Sequence, residues 1–225
     1  MTGIRGADDW IIMPLQCGTQ WDALSHIFFK DSMYNGYHIT NVWSYGAKKN
    51  GIEKTKDRIA GRGVLLDIPR WKGVDELPEG YGVTAADLDA ASAHQKVQIR
   101  RGDFVIVRTG QMEACLARKD WGDYAGGNAP GLAFDTLEWL HHHEVAAVAT
   151  DTWGAEVRPN NSPGISQPWH WIAIPIIGLT VGEIFYLKDL ADDCAADGQY
   201  EFFLVSASLP FTGAVGTPTN PMAFK

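Results

Sequence analysis

Short apolar runs broken by turn residues, with two stretches of helical period between them, set the outline of this chain. Gly63-Val64-Leu65-Leu66-Asp67-Ile68, closed by Pro69, predicts a buried strand whose end delivers Asp67 or Arg70 to a surface. Phe104-Val105-Ile106-Val107-Arg108 predicts a second, entered through Arg101-Gly102-Asp103 and left through Thr109-Gly110. Between them, Thr84-Ala85-Ala86-Asp87 has the form of a capping box and opens a predicted helix over about residues 85–96, with Leu88, Ala91 and Gln95 near one face. Residues 132–143 are predicted as helix, with Leu132, Leu137 and Leu140 apolar, and 145–150 as the strand that follows. Residues 170–177 form an apolar run stopped at Gly178, and 179–190 carry Glu183 within an apolar, helix-like pattern. Residues 200–209 alternate as a last strand, and 210–225 read as a closing loop. Glycines and prolines mark 46–56, 71–82, 111–131 and 151–167 as irregular connections. Helix followed by strand is the repeating unit of an α/β arrangement.

Composition narrows the class. The 225 residues, 45% hydrophobic and 11% aromatic, suffice for one globular domain of ordinary to large size. Nineteen basic against 27 acidic residues leave a net charge of -8, which offers no general attraction to nucleic acid or to an anionic membrane. No stretch approaches the roughly 18 consecutive apolar residues that span a bilayer, and residues 1–10, with Arg5, Asp8 and Asp9, do not read as a signal peptide. Cys17, Cys115 and Cys194 are odd in number and form no C-x-x-C pair, so reduced thiols in a cytoplasmic compartment are expected.

The densest polar chemistry lies in Gln16-Cys17-Gly18-Thr19-Gln20-Trp21-Asp22-Ala23-Leu24-Ser25-His26. In an extended segment Gln16, Gln20, Asp22 and His26 point to one side, and Cys17, Thr19, Trp21, Ala23 and Ser25 to the other, packed side. The polar row is either a solvated strand face or the wall of a site. Ser25 and His26, as strand neighbours, face apart and form no relay, and Cys17 reads as an inert thiol. His141-His142-His143 cannot converge on one ion, because helical neighbours point about 100° apart; imidazoles there suit the helix C-terminus. The Gly-rich residues 125–131 and 213–216 match neither a P-loop nor a dinucleotide fingerprint. His170 and Glu183 each stand in an apolar run, and a buried glutamate needs a partner or a metal to offset its desolvation. With Asp22 they would make a mixed N/O donor set that suits Zn²⁺ or Mn²⁺, though spacing alone does not bring them together.

The opening stretch resembles the signature H-x-G-T-H-x-D-x-P-x-H of the metal-dependent cyclase-like hydrolases, a family that includes bacterial kynurenine formamidase and isatin hydrolase. Gly18, Thr19, Asp22 and His26 match it, while Gln16, Gln20 and Leu24 stand where it has His, His and Pro. The family's later His and Glu look like His170 and Glu183, and Leu209-Pro210-Phe211-Thr212-Gly213 through Gly216-Thr217-Pro218 is similar to its C-terminal substrate-side loop. The likeness runs from about Trp10 to Phe224, with residues 62–67 and 102–110 as further islands.

The resemblance implies a swivelling β/β/α fold, an α/β class with a mixed sheet and flanking helices, in a homodimer or homotetramer. It implies one or two divalent ions, a metal-activated water that attacks an amide carbonyl, and His26 as base and then acid. Residues 1–225 are expected as a single domain that lacks an N-terminal portion found in relatives. Because an amide oxygen is a weaker ligand than imidazole for Zn²⁺, one ion is expected, Mn²⁺ or Zn²⁺, on Asp22, His170 and Glu183. Gln16 and Gln20 are then weak ligands or donors to the substrate, and Trp21, with Trp43, Trp71 and Trp169, an aromatic wall. The expected activity is hydrolysis of amide C–N bonds in cyclic or formylated aryl amides. The other readings are a small-molecule-binding protein on the same fold that has lost its metal, and a lactone hydrolase or water-eliminating cyclase.

Overall fold

Four parallel strands form the middle of an eight-stranded sheet in the computed structural model, which describes residues 3–162 and 164–225. Along the chain the strands are β1 (Gln20–Asp22), β2 (Ala60–Asp67), β3 (Phe104–Arg108), β4 (Ala147–Thr150), β5 (Thr180–Glu183), β6 (Glu201–Val205), β7 (Gly216–Pro218) and β8 (Met222–Phe224). Their order is β7-β1-β5-β4-β3-β2-β6-β8. Strands β5, β4, β3 and β2 are parallel neighbours, and the outer pairs β1/β7 and β6/β8 join them antiparallel. The helices are α1 (Ile68–Lys72), α2 (Ala85–Gln95), α3 (Gln111–Arg118), α4 (Thr136–His142), α5 (Pro168–Ile172) and α6 (Lys188–Asp197). This is the swivelling β/β/α fold, with a mixed sheet and flanking helices.

Strand alternation divides the apolar side chains between two cores. Val64, Leu66, Val105, Val107, Val148 and Val181 pack on one face with Leu88 of α2, Leu137 and Leu140 of α4 and Trp169 of α5. Leu65, Phe104, Ile106, Ala147 and Ala149 turn to the other face, with Trp21, Phe185, Phe202 and the α6 residues Ala191 and Cys194. Strands β2 and β3 and helix α2 lie where the sequence predicts them. The capping box is formed in both directions: Thr84 Oγ1 accepts from the Asp87 amide at 3.1 Å, and Asp87 Oδ2 accepts from the Thr84 amide at 3.0 Å.

Other segments depart from expectation. Residues 179–190 are not one helix: 180–183 pair as strand β5 between β1 and β4, and α6 begins only at Lys188. Helix α3 occupies the first part of a stretch expected to be irregular. Its entry is held from afar, because the Asp151 carboxylate accepts from the amides of Thr109 and Gly110 at 2.7 Å each, and Gly110 adopts φ +86. The closing residues are not all loop, since β7 pairs with β1 and β8 with β6. In the 46–56 segment, expected to be an exposed loop, Ile52 is wholly buried. Of the two residues expected at a surface, Arg70 is exposed and Asp67 is buried, with Arg108 Nη1 at 2.7 Å and Arg70 Nε at 2.9 Å on its two oxygens. Among the described residues no helix is long and apolar enough to cross a membrane.

Candidate metal centre

The site is built on the antiparallel pair β1/β5, where Gln20 stands directly opposite Glu183. Residues facing each other across such a pair present their side chains on the same sheet face, and Asp22, two residues beyond Gln20, shares it. Thr19 ties the start of β1 to the end of β5, its hydroxyl donating to the Ile184 carbonyl at 2.6 Å. Helix α5 brings His170 over the same face. One ligand atom each from Asp22, His170 and Glu183 lies within 4.8 Å of the others, and all three residues are buried.

Each partner is oriented by a specific bond. His170 sits between two carboxylates, with Nδ1 at 2.7 Å from Glu156 Oε2 and Nε2 at 3.2 Å from Glu183 Oε1. Glu183 Oε2 accepts from Gln20 Nε2 at 2.8 Å, and its Oε1 accepts from the Ala155 amide at 3.2 Å. Among the described residues, both carboxylate oxygens of Asp22, Oε1 of Gln20 and Oε1 of Glu156 are buried at the cluster without a hydrogen-bond partner. A buried carboxylate with neither oxygen bonded is costly unless a cation compensates it.

The protonation equilibria reflect this crowding. Burial, with the Glu183 charge beside it, pushes the Asp22 carboxyl well above the usual range. At His170, desolvation lowers the imidazole pKa, but hydrogen bonds to Glu156 and Glu183 outweigh it and raise the value to about 10. The ring is thus held as a cation between two carboxylates, and a divalent ion at Nε2 would take the place of a proton. For His26, burial is the largest influence and lowers the pKa below its ordinary value, which favours the neutral ring.

The expected extended row from Gln16 to His26 is interrupted. β1 ends at Asp22 and the chain turns, with the His26 amide donating to the Ala23 carbonyl at 2.9 Å. The turn nonetheless returns His26 to the cluster, its Nε2 3.8 Å from Asp22 Oδ1 and its side chain 31% exposed. Gln16 lies against Gly216, the residue opposite Asp22 on β7, where an added Cβ would fall 2.6 Å from Gln16 Nε2.

Trp21 is not at the site. It points to the opposite sheet face, is 0% exposed, donates from Nε1 to Ser206 Oγ at 2.7 Å and meets Phe185 edge-on at 5.1 Å. Gly182, directly across from it, leaves the room: a Cβ there would stand 2.7 Å from the indole. Trp169 is likewise a core residue, donating to Thr136 Oγ1 at 2.9 Å. His143 closes the end of α4, with Nδ1 2.9 Å from the Trp139 carbonyl. All three cysteines are free, Cys17 exposed and the others buried.

Glu156 is the site residue that sequence reasoning missed. It lies in a segment read only as irregular, but the signal that singled out Glu183, an acidic residue flanked by apolar ones, is present in Ala155-Glu156-Val157. A cavity of about 560 Å³ is lined by Asn128, Arg158 and Gln167 as well as Glu156. The residues present fit a divalent ion: two carboxylates, an imidazole oriented by a third carboxylate, and an amide oxygen without a partner.

The fold has relatives. The chain belongs to the Cyclase family, whose sequence model, described as "Putative cyclase", matches residues 5–157. It is similar to a crystal structure described as a novel cyclase, with 43% identity and a TM-score of 0.90 over 99% of this chain and 74% of that one. An isatin hydrolase bound to the product analogue thioisatinate shares the fold at 17% identity, TM-score 0.68, over 95% of this chain and 73% of its own. A Bacillus stearothermophilus protein described as a predicted metal-dependent hydrolase does so at 21% identity, TM-score 0.62, over 99% and 83%. No curated protein matches the chain.

Proposed function

We propose that this chain is a metal-dependent hydrolase of amide C–N bonds, acting on cyclic or formylated aryl amides. The observation that carries this reading is the buried cluster of Asp22, His170 and Glu183 within 4.8 Å, beside acceptor oxygens that no protein group satisfies. The fold-sharing proteins named as an isatin hydrolase and as a metal-dependent hydrolase support it.

Asp22, His170 and Glu183 would hold one divalent ion, Mn²⁺ or Zn²⁺, with Gln20 Oε1 as a weaker fourth donor. When bound, the ion supplies Lewis-acid polarisation of the carbonyl and lowers the pKa of water toward about 7. His26, partly exposed and 3.8 Å from Asp22, is the group placed to take a proton from the attacking water and return it to the leaving nitrogen. We also propose assembly as a homodimer or homotetramer, which the exposed Trp10, Ile11 and Ile12 support. A cytoplasmic location is part of the same reading, supported by the free cysteines.

The test is elemental analysis of protein purified without added ions, with thermal unfolding on adding Mn²⁺ or Zn²⁺. A tightly bound ion must raise the unfolding temperature; less than about 0.2 metal per chain and no stabilisation would overturn the reading.

A further inference from the structure

Glu156 is 1% exposed, and one of its oxygens makes two bonds to a single residue. Oε2 accepts from the His170 ring Nδ1–H at 2.7 Å and from the His170 main-chain N–H at 3.0 Å. The first bond fixes the rotation of the imidazole and the second fixes the turn of α5 that carries it. An ionised carboxylate only accepts, so Nδ1 is the nitrogen that must bear hydrogen. The other nitrogen, Nε2, is thereby the one presented to Glu183, 3.2 Å away, on the side of the cluster that includes Asp22.

A purely structural role does not account for this group. A neutral acceptor would satisfy a ring N–H and a backbone N–H equally well, whereas Glu156 places a carboxylate in the interior with Oε1 left without a partner. Such a charge is expensive to bury unless its partner carries positive charge or is bound to a cation. The carboxylate–imidazole pair also makes Nε2 more electron-rich, which strengthens its donation to a metal ion.

We propose that Glu156 is the positioning residue of the metal centre, setting the tautomer and rotation of His170 and strengthening its Nε2 as a ligand. This inference rests on the reading that Asp22, His170 and Glu183 bind a divalent ion. Both hydrogen bonds of Glu156 go to His170, so its effect passes through that residue.

The experiment uses the full chain, stripped of metal, with Mn²⁺ and Zn²⁺ titrated separately into wild type and Glu156→Gln. The thermal midpoint of each metal-free protein is measured in parallel. An amide oxygen still accepts from Nδ1–H, so Glu156→Gln keeps the ring orientation and a near-wild-type midpoint while its affinity for both ions falls roughly 10- to 100-fold. A lowered midpoint with unchanged affinities marks a merely structural group and overturns the inference, as do unchanged affinities at an unchanged midpoint. If wild type binds neither ion, the metal reading falls and takes this inference with it, an outcome distinct from the previous two. A second measurement needs no variant: ring ¹⁵N NMR of Zn²⁺-loaded wild type should show His170 protonated at Nδ1, and protonation at Nε2 would overturn the proposal.

Discussion

Gln20 turns its amide nitrogen toward Glu183, 2.8 Å from Oε2, and leaves its carbonyl oxygen buried beside Asp22 without a partner. The direction is dictated by chemistry, since an ionised carboxylate accepts hydrogen bonds and offers none. At a position where the signature of the family has histidine, this chain therefore presents an oxygen. Amide oxygen suits Mn²⁺ better than it suits Zn²⁺, and imidazole reverses the preference. Gln20→His is expected to raise the affinity for Zn²⁺ by about tenfold or more and that for Mn²⁺ much less. Titration of the two ions into the stripped variant checks this; no gain for either ion would show that position 20 does not face the ion, and equal gains would overturn the preference for Zn²⁺.

His26 stands at the edge of the cluster, 3.8 Å from Asp22 and partly exposed, and is not one of the three proposed ligands. His26→Ala should keep its metal while amide turnover falls roughly 10²-fold or more. Metal content and turnover measured on the same preparation separate the two roles, and an unchanged rate would remove His26 from the mechanism.

Arg108 donates to Asp67 Oδ1 at 2.7 Å and to the two oxygens of Glu113 at 2.6 and 2.8 Å, with its side chain 7% exposed. Hydrogen bonds and charges from these partners raise its pKa against the lowering effect of desolvation, its largest influence, so the guanidinium stays charged. Arg108→Ala leaves Asp67 buried with only Arg70 beside it. The expected loss is about 3 kcal/mol in denaturant unfolding; a loss under about 0.5 kcal/mol would show that Arg70 alone compensates Asp67.

Asp151 gives the fold a pH signature. Desolvation raises its carboxyl to about 6, against the lowering effect of the Thr109 and Gly110 amides. The folded protein then holds this proton between about pH 4 and 6, where the unfolded chain has released it. The contribution of Asp151 to stability is full below about pH 4 and is lost as pH rises through 6. The stability difference between wild type and Asp151→Asn should shrink by an amount of order 2 kcal/mol from pH 4 to pH 7. A difference that stays constant, or grows with pH, would place the folded pKa at or below its ordinary value.

Much of the α/β frame was legible because it rests on interactions a few residues apart. The buried runs of β2 and β3 and the capping box of Thr84 and Asp87 carry their own signals. Residues 180–183 carry none: flanked by apolar residues, they are compatible with helix or strand, and only the ladders to β1 and β4 decide for strand. The start of α3 depends on Asp151, about forty residues away, which no local pattern announces.

The site divides in the same way. By itself the sequence determined which side chains are available for chemistry, Asp22, His26, His170 and Glu183, because donor type and flanking apolarity are properties of single positions and their neighbours. It also determined that Gln20 and Asp22 share one strand face, because that follows from a period of two. Only the tertiary structure decided that Gln20 meets Glu183 across 163 residues of chain, that Trp21 is core and not wall, and that Glu156 orients His170. Those are contacts between distant segments, fixed by the register of β1 on β5 and the docking of α5, and such contacts leave no periodic trace in the residues that make them.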